Sequence, residues 1–382
     1  MHVSPVLAAQ TTYPFVRIEE AKRRKAAEGT RIFDFGMGAP REPTDPKIVQ
    51  ALVDALAQTS GYPAAVGLPE LREAVAAWCA RRFGVALDPD TELIPTYGSK
   101  EAIFTFAQVV VGSDSGKDLV LVPEPGYPVY ERGAQFAHAR VQTFPLRDEH
   151  CFLPDLDAID DETWERTALL WINYPNNPTG AVAPLAFYHR LAELARAHDF
   201  LVCSDEAYTE LWFEERPASA LQAVDRERMV VFNTLSKRSS MTGYRSGFVA
   251  AAPPVIDALR KFRPSIGSAP QTFVQRASIV AWEDEEHVER NRALYARKRA
   301  LFVDLFARKG LRLRGSSATM YLWLEVPHDG RSEDFADFLL EHGVVVAPGS
   351  YFGPSGEGYV RFALVPTEAD CAEAVRLLEA VL

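Results

Sequence analysis

Between about residues 46 and 265 the chain alternates short apolar runs with longer stretches of helical period. The runs DLVLVPE, VQTFPL, TALLWIN, FLVCS, MVVFN and GFVAA read as strands, and all but VQTFPL are apolar on nearly successive residues, as strands covered on both faces must be. PELREAVAAWCARRFG and residues 98–111 carry a helical pattern instead. Alternation of this kind predicts an α/β fold, a mostly parallel sheet sandwiched by helices. Residues 1–45 read as an arm that joins part of a smaller domain, with the basic helix RIEEAKRRKAAEG and the strand RIFDFG. After KFRPSIGSAP, the helical stretch HVERNRALYARKRALFVDLFARKG and the units following it read as a smaller α+β domain over 266–382. At 382 residues the chain exceeds one ordinary core, which agrees with this division.

Within that frame the most informative segment is MVVFNTLSKRSSMTGYRSGF. Met229, Val230, Val231 and Phe232 predict a buried strand, which Lys237 closes. A lysine there has a plain reading as a solvated surface residue. Its surroundings argue for chemistry: hydroxyls at Thr234, Ser236, Ser239, Ser240 and Thr242, then Gly243 and Arg245. An amine withdrawn from water loses preference for its charged form, and the neutral amine can form an imine with an aldehyde. Hydroxyls and a guanidinium suit a phosphate. Aldehyde and phosphate together point to pyridoxal 5'-phosphate.

That cofactor needs a fixed carboxylate to keep its pyridine nitrogen protonated. DFLVCSDEAY offers Asp205 at the end of an apolar run, with Glu206 as an equally charged rival, and Tyr208 can bring a phenol near the ring hydroxyl. LLWINYPNNPTG offers Asn177 before Pro178 as a neutral donor, although such a turn also forms for geometry alone. Strand ends near 177, 205 and 237 recur about every thirty residues, the period of a strand and crossover helix, so they can converge on one sheet edge. In IPTYGSKEAIFTFAQVV, Gly98 allows close approach and Ser99 can cap a helix whose amides would hold a phosphate. Tyr127 of PEPGYPVY can stack on a ring or fill core.

The ordered set GMGAP, SGYPAAVGLPELREAV, YGSKEA, PGYPVY, NYPNNPTG, SDEAY, SKRSSMTGYRSGF and GYVRFAL resembles the fold-type I, class I/II pyridoxal-phosphate aminotransferases over nearly the whole chain. The resemblance implies that Lys237 is the Schiff-base lysine and that Asp205 faces the pyridinium. It puts Asn177 and Tyr208 at the ring hydroxyl, and Ser99, Lys100, Thr234, Ser236 and Arg245 around the phosphate. Thr234, three residues before the lysine, fits the family's phosphate hydroxyl better than Ser236. Tyr62 matches a tyrosine that reaches the phosphate from a partner subunit, which implies a homodimer. Arg361 matches the arginine that takes the substrate α-carboxylate, and Gly38 the backbone lining the other side.

Transamination between an amino acid and a 2-oxo acid such as 2-oxoglutarate is the expected reaction, with Lys237 moving the α-proton. GMGAPREPTDP and TYGSKEAIF look most like the succinyldiaminopimelate aminotransferase branch of lysine synthesis, which makes N-succinyl-LL-2,6-diaminopimelate the expected donor. Arg41 is the candidate for a distal carboxylate, against a plain reading as a solvated or structural arginine. Aspartate, aromatic or alanine transamination and a C–S β-lyase are alternatives on the same scaffold. A pyridoxal-phosphate-binding regulator is the alternative of another class, for which only a short arm is present.

Composition narrows the field. Lys and Arg number 41 against 52 Asp and Glu, a net charge of -11, which argues against wide nucleic-acid contact. No apolar run is long enough to cross a bilayer, and the opening MHVSPVLAAQTTYPF lacks a signal-peptide pattern, so the expected location is cytoplasmic. Cys79, Cys151, Cys203 and Cys371 stand far apart and read as reduced thiols in or near cores, and neither they nor the eight histidines have metal-ligand spacing. GMGAPR lacks the third glycine of a dinucleotide fingerprint.

Overall fold

Each central strand is apolar on successive residues because each is covered twice. The computed structural model describes residues 2–10, 15–58, 61–112 and 116–382, without the side chains of Phe15 and Gln58. Ser60 of the SGYP motif lies outside the described residues. The chain begins with α1 (Pro5–Ala8), α2 (Phe15–Ala27), β1 (Phe33–Asp34) and α3 (Pro46–Ala55). It continues through α4 (Pro69–Phe83), β2 (Leu93–Thr96), α5 (Ser99–Val110), β3 (Leu119–Glu124), α6 (Val129–Phe136), β4 (Arg140–Pro145), α7 (Asp161–Arg166) and β5 (Thr167–Asn173). Next come α8 (Leu185–His198), β6 (Leu201–Asp205), β7 (Met229–Thr234), α9 (Leu235–Arg238), β8 (Gly247–Ala250) and α10 (Pro253–Phe262). The last part holds α11 (Thr272–Glu283), α12 (Glu286–Arg308), β9 (Leu313–Arg314), β10 (Tyr321–Glu325), α13 (Ser332–Glu341), β11 (Val344–Val345), β12 (Ala347–Pro348), β13 (Tyr359–Ala363) and α14 (Glu368–Val381).

The large sheet has seven strands in the order β2-β8-β7-β6-β5-β3-β4. Only β8 runs against its neighbours, so the sheet is mostly parallel as expected. Alternate residues serve opposite layers. Val230 and Phe232 join the cluster formed with Phe106 of α5 and Tyr130 of α6, whereas Met229 and Val231 join Trp78 of α4 and Leu191 of α8. The smaller body has an antiparallel sheet, β12-β13-β10-β9, and a parallel pair, β1 with β11. Phe302, Phe306, Leu322, Leu324, Val360 and Phe362 fill its core. The expected division at 265/266 precedes α11, whose Ala277, Ala281 and Trp282 join the core of the larger body. The four cysteines are free thiols, but Cys151 is exposed rather than in or near a core. Among the described residues no helix is long and apolar enough to cross a membrane.

Two details position the site. Lys237 does not close a strand: β7 ends at Thr234, whose hydroxyl caps the one-turn helix α9 by accepting from the Ser236 amide at 3.2 Å. Ser99 is likewise not the cap of α5. Gly98 holds that place at φ +73, and a Cβ there would lie 2.5 Å from Nη2 of Arg245, so glycine is required for the guanidinium to approach.

The start of α5 is braced from below. Buried Arg263 donates from Nη1 to both carboxylate oxygens of Glu101, at 2.8 and 3.1 Å, and Glu101 accepts from the Tyr97 amide at 3.3 Å. Arg263→Met leaves that carboxylate without its cation, so we expect a loss of about 2–4 kcal/mol, measured as a lower urea midpoint of the apoprotein.

Candidate active site

The C-terminal ends of β5, β6 and β7 lie side by side, with Asn173 opposite Asp205 and Asp205 opposite Phe232. They open on a cavity of about 320 Å³, and the adjacent strand ends of a parallel sheet are where such folds bind ligands. Of the sequence-predicted residues, Gly38, Ser99, Lys100, Tyr127, Asn177, Asp205, Tyr208, Thr234, Ser236, Lys237, Arg245 and Arg361 all line it. Gly98 stands just behind, against Arg245.

Lys237 reaches the cavity from one turn beyond β7, and its Nζ donates to the Gly38 carbonyl at 2.5 Å. Burial, assisted by the charges of Arg361 and Arg245 and opposed by Asp205, lowers its amine to about 7. Asp205 is buried in the lining of the same cavity. Desolvation pushes its carboxyl up to about 6, against hydrogen bonds from Tyr130 and the Ala207 amide and the charge of Lys237. Glu206, its rival in the sequence, points elsewhere and accepts from the Ser204 hydroxyl at 3.0 Å and the Ala220 amide at 2.8 Å.

Arg361 enters from β13 of the smaller body. It donates from Nη1 to Asn177 Oδ1 at 2.8 Å and from Nη2 to the Gly36 carbonyl at 2.7 Å, with its guanidinium 4.3 Å from the centroid of Tyr321 and 4.7 Å from that of Phe352. Lys100, Arg245 and the first turn of α5 make one end of the cavity cationic. Burial lowers the Lys100 amine, and Arg245 and Arg132 lower it further. Arg245 is held by the carbonyl of Thr242 at 3.0 Å.

Two predicted residues are not brought in. Arg41 is half exposed and donates to Asp34 at 3.0 Å beside Lys22, outside the cavity lining. Tyr62 is fully exposed at the surface. The sequence reasoning missed Tyr130, which donates to Asp205 Oδ2 at 2.8 Å and stacks on Trp171 with centroids 4.9 Å apart. Its signal was available: PGYPVY carries a second tyrosine one helical turn after Tyr127. It also missed Tyr321 and Phe352, which stand on separate units of the smaller body and have no local motif.

These walls suit a phosphorylated pyridine aldehyde: cations and a helix start at one end, a buried amine, and a buried carboxylate that a protonated ring nitrogen would hold ionised. The comparisons with known proteins agree. The family model "Aminotransferase class I and II" matches residues 30–378. The chain belongs to that family. Like its family, this aminotransferase is pyridoxal-phosphate-dependent. It is 41% identical over 378 residues to an LL-diaminopimelate aminotransferase of Nitratidesulfovibrio vulgaris, covering 97% of this chain and 96% of the relative. An aminotransferase from Neisseria meningitidis superposes with TM-score 0.93 at 35% identity, covering 100% of both chains. A probable N-succinyldiaminopimelate aminotransferase from Thermus thermophilus does so with TM-score 0.89 at 32% identity, covering 96% of this chain and 100% of that one. Among the described residues no group of His, Cys, Asp or Glu could hold a metal ion.

A lysine lowered to about 7 is protonated below that pH and a free nucleophile above it. Capture of the cofactor by the apoprotein should therefore accelerate by about tenfold per pH unit below pH 7 and level off above it, as read by stopped-flow absorbance. An ordinary lysine would keep accelerating towards pH 10.

Proposed function

We propose that this aminotransferase takes its amino group from free LL-diaminopimelate and passes it to a 2-oxo acid such as 2-oxoglutarate. Bound pyridoxal phosphate supplies the electron sink for loss of the donor's α-proton. Lys237 holds the cofactor and, once displaced by the donor amine, moves that proton, a task worth roughly 10² to 10⁴ in rate. Asp205, braced by Tyr130, keeps the ring nitrogen protonated. Asn177 and Tyr208 serve the ring hydroxyl, Tyr127 lies against the ring, and Ser99, Lys100, Thr234, Ser236 and Arg245 surround the phosphate. Arg361 takes the α-carboxylate in a bidentate fork, with Gly38 on the other side, so that the bond to be broken is fixed in direction. The observation that carries this reading is that a buried amine near neutrality and a buried guanidinium meet in one cavity.

The free donor is favoured over its N-succinyl form on two grounds. The curated relatives sharing about two fifths of the sequence are named LL-diaminopimelate aminotransferases. A second cavity of about 310 Å³ shares Tyr127 and Phe352 with the first and is walled by Glu124, Glu131 and Arg132. Walls of both signs match a distal end carrying an ammonium and a carboxylate; a succinylated end carries no ammonium. The Thermus thermophilus likeness keeps the N-succinyl donor as a second reading. Arg41, paired with Asp34, has no part in either. A homodimer belongs to the proposal. Tyr62 and the exposed Val49, Val53 and Leu56, at helical spacing on and just after α3, offer a partner copy an apolar surface. The proposed setting is the cytoplasm.

A panel of donors against 2-oxoglutarate tests the substrate. LL-diaminopimelate should exceed N-succinyl-diaminopimelate by at least about tenfold in kcat/KM, a margin of one lost charge pair. The reverse ranking establishes the second reading, and a preference for aspartate, alanine or aromatic donors removes both. Arg361→Gln should cost roughly 30-fold or more in kcat/KM for every donor while the purified protein still carries its cofactor.

A further inference from the structure

We propose that Tyr321 is a positioning residue of this site: its hydroxyl aims the Tyr208 phenol at the cofactor's ring oxygen, and its ring carries the Arg361 guanidinium. The inference rests on the roles given above to Tyr208 and Arg361. It starts from three contacts made by one side chain at the first position of β10. The Tyr321 and Tyr208 hydroxyls are 2.9 Å apart, with ring centroids at 5.3 Å. The Arg361 guanidinium lies 4.3 Å from the Tyr321 centroid, within range of a cation–π contact. The same hydroxyl fills the space beside Gly38, where a Cβ would come within 2.2 Å of it. Gly38 is also the residue whose carbonyl accepts from Lys237. Tyr321 therefore touches the residues proposed for the ring hydroxyl and the carboxylate, and the glycine whose carbonyl holds the lysine amine.

Proton counting gives the contact a direction. A phenol has one hydrogen, and Tyr208 can donate it either to Tyr321 or to the cofactor. When Tyr321 donates to the Tyr208 oxygen, the Tyr208 hydrogen is left for the ring oxygen, and donation in series strengthens both bonds. Burial keeps both phenols protonated, so both hydrogens remain available.

The substitution that isolates the hydroxyl is Tyr321→Phe, which keeps the ring and its packing. A hydrogen bond to the ring oxygen favours the form in which that oxygen carries its charge alone. Weakening the bond makes the neighbouring lysine-linked nitrogen keep its proton to higher pH. The pH midpoint of the holoenzyme's visible absorbance change should therefore rise by about 0.3–1 unit. It should move in the same direction as in Tyr208→Phe, and by less. In the Tyr208→Phe background, Tyr321→Phe should add no further shift, because the relay is already cut. We expect kcat to fall roughly 3- to 10-fold with KM for the donor within about twofold of the parent. Tyr321→Leu removes the ring as well and should raise KM by roughly 3- to 30-fold.

An unchanged midpoint in Tyr321→Phe while Tyr208→Phe shifts it, or additive shifts in the double variant, overturns the proposal alone. If Tyr208→Phe itself leaves the midpoint in place, the reading of Tyr208 fails first and takes the proposal with it. Thermal unfolding of the apoproteins separates a packing role: a lower midpoint with parental spectrum and kinetics makes Tyr321 a structural residue and overturns the proposal.

Discussion

Desolvation of one amine is the constraint around which the rest is arranged. Lys237 is held away from water, with its Nζ against the Gly38 carbonyl and two guanidinium groups, Arg361 and Arg245, near enough to disfavour its charge. An ammonium in that position is costly, and the amine moves towards neutrality instead. Asp205 is the counterpart, a carboxylate pushed towards its neutral form by the same burial. A cofactor that reacted with the amine and offered a proton to the carboxylate would relieve both.

The fold makes that arrangement affordable by spreading it over separate elements. The carboxylate stands at the end of β6, the lysine on a capped turn after β7, and the cationic end on α5, each fixed by packing of the sheet and its two helical layers. The residues proposed for the substrate side, Arg361 on β13 and Tyr321 on β10, come from the smaller body. The cavity therefore draws on both bodies, and Tyr208, three residues after Asp205, packs with the core of the smaller one.

Much of this was legible because the strands are buried on both faces and announce themselves as apolar runs, and because the residues after such runs gather at one edge. Asp205 could be preferred to Glu206 from strand context, and the structure puts Asp205 on the cavity while Glu206 serves Ser204 and Ala220. What was not legible depends on contacts between distant segments. Tyr321 lies more than a hundred residues from Tyr208, and nothing local marks it. Arg41 looked free to meet a substrate because its partner, Asp34, is a short strand's terminal residue whose burial only the assembled chain reveals. The position of Lys237 within a one-turn helix turned on a side-chain cap at Thr234, a local bond that an apolar run conceals.

The proposed chemistry requires a covalent link between the amine at position 237 and pyridoxal phosphate. Borohydride reduction of the holoenzyme, followed by proteolysis and mass spectrometry, tests it most directly. A single phosphopyridoxyl group is expected on the peptide containing Lys237. A label on Lys100 or any other lysine, or no label on a protein that retains the cofactor, would contradict it.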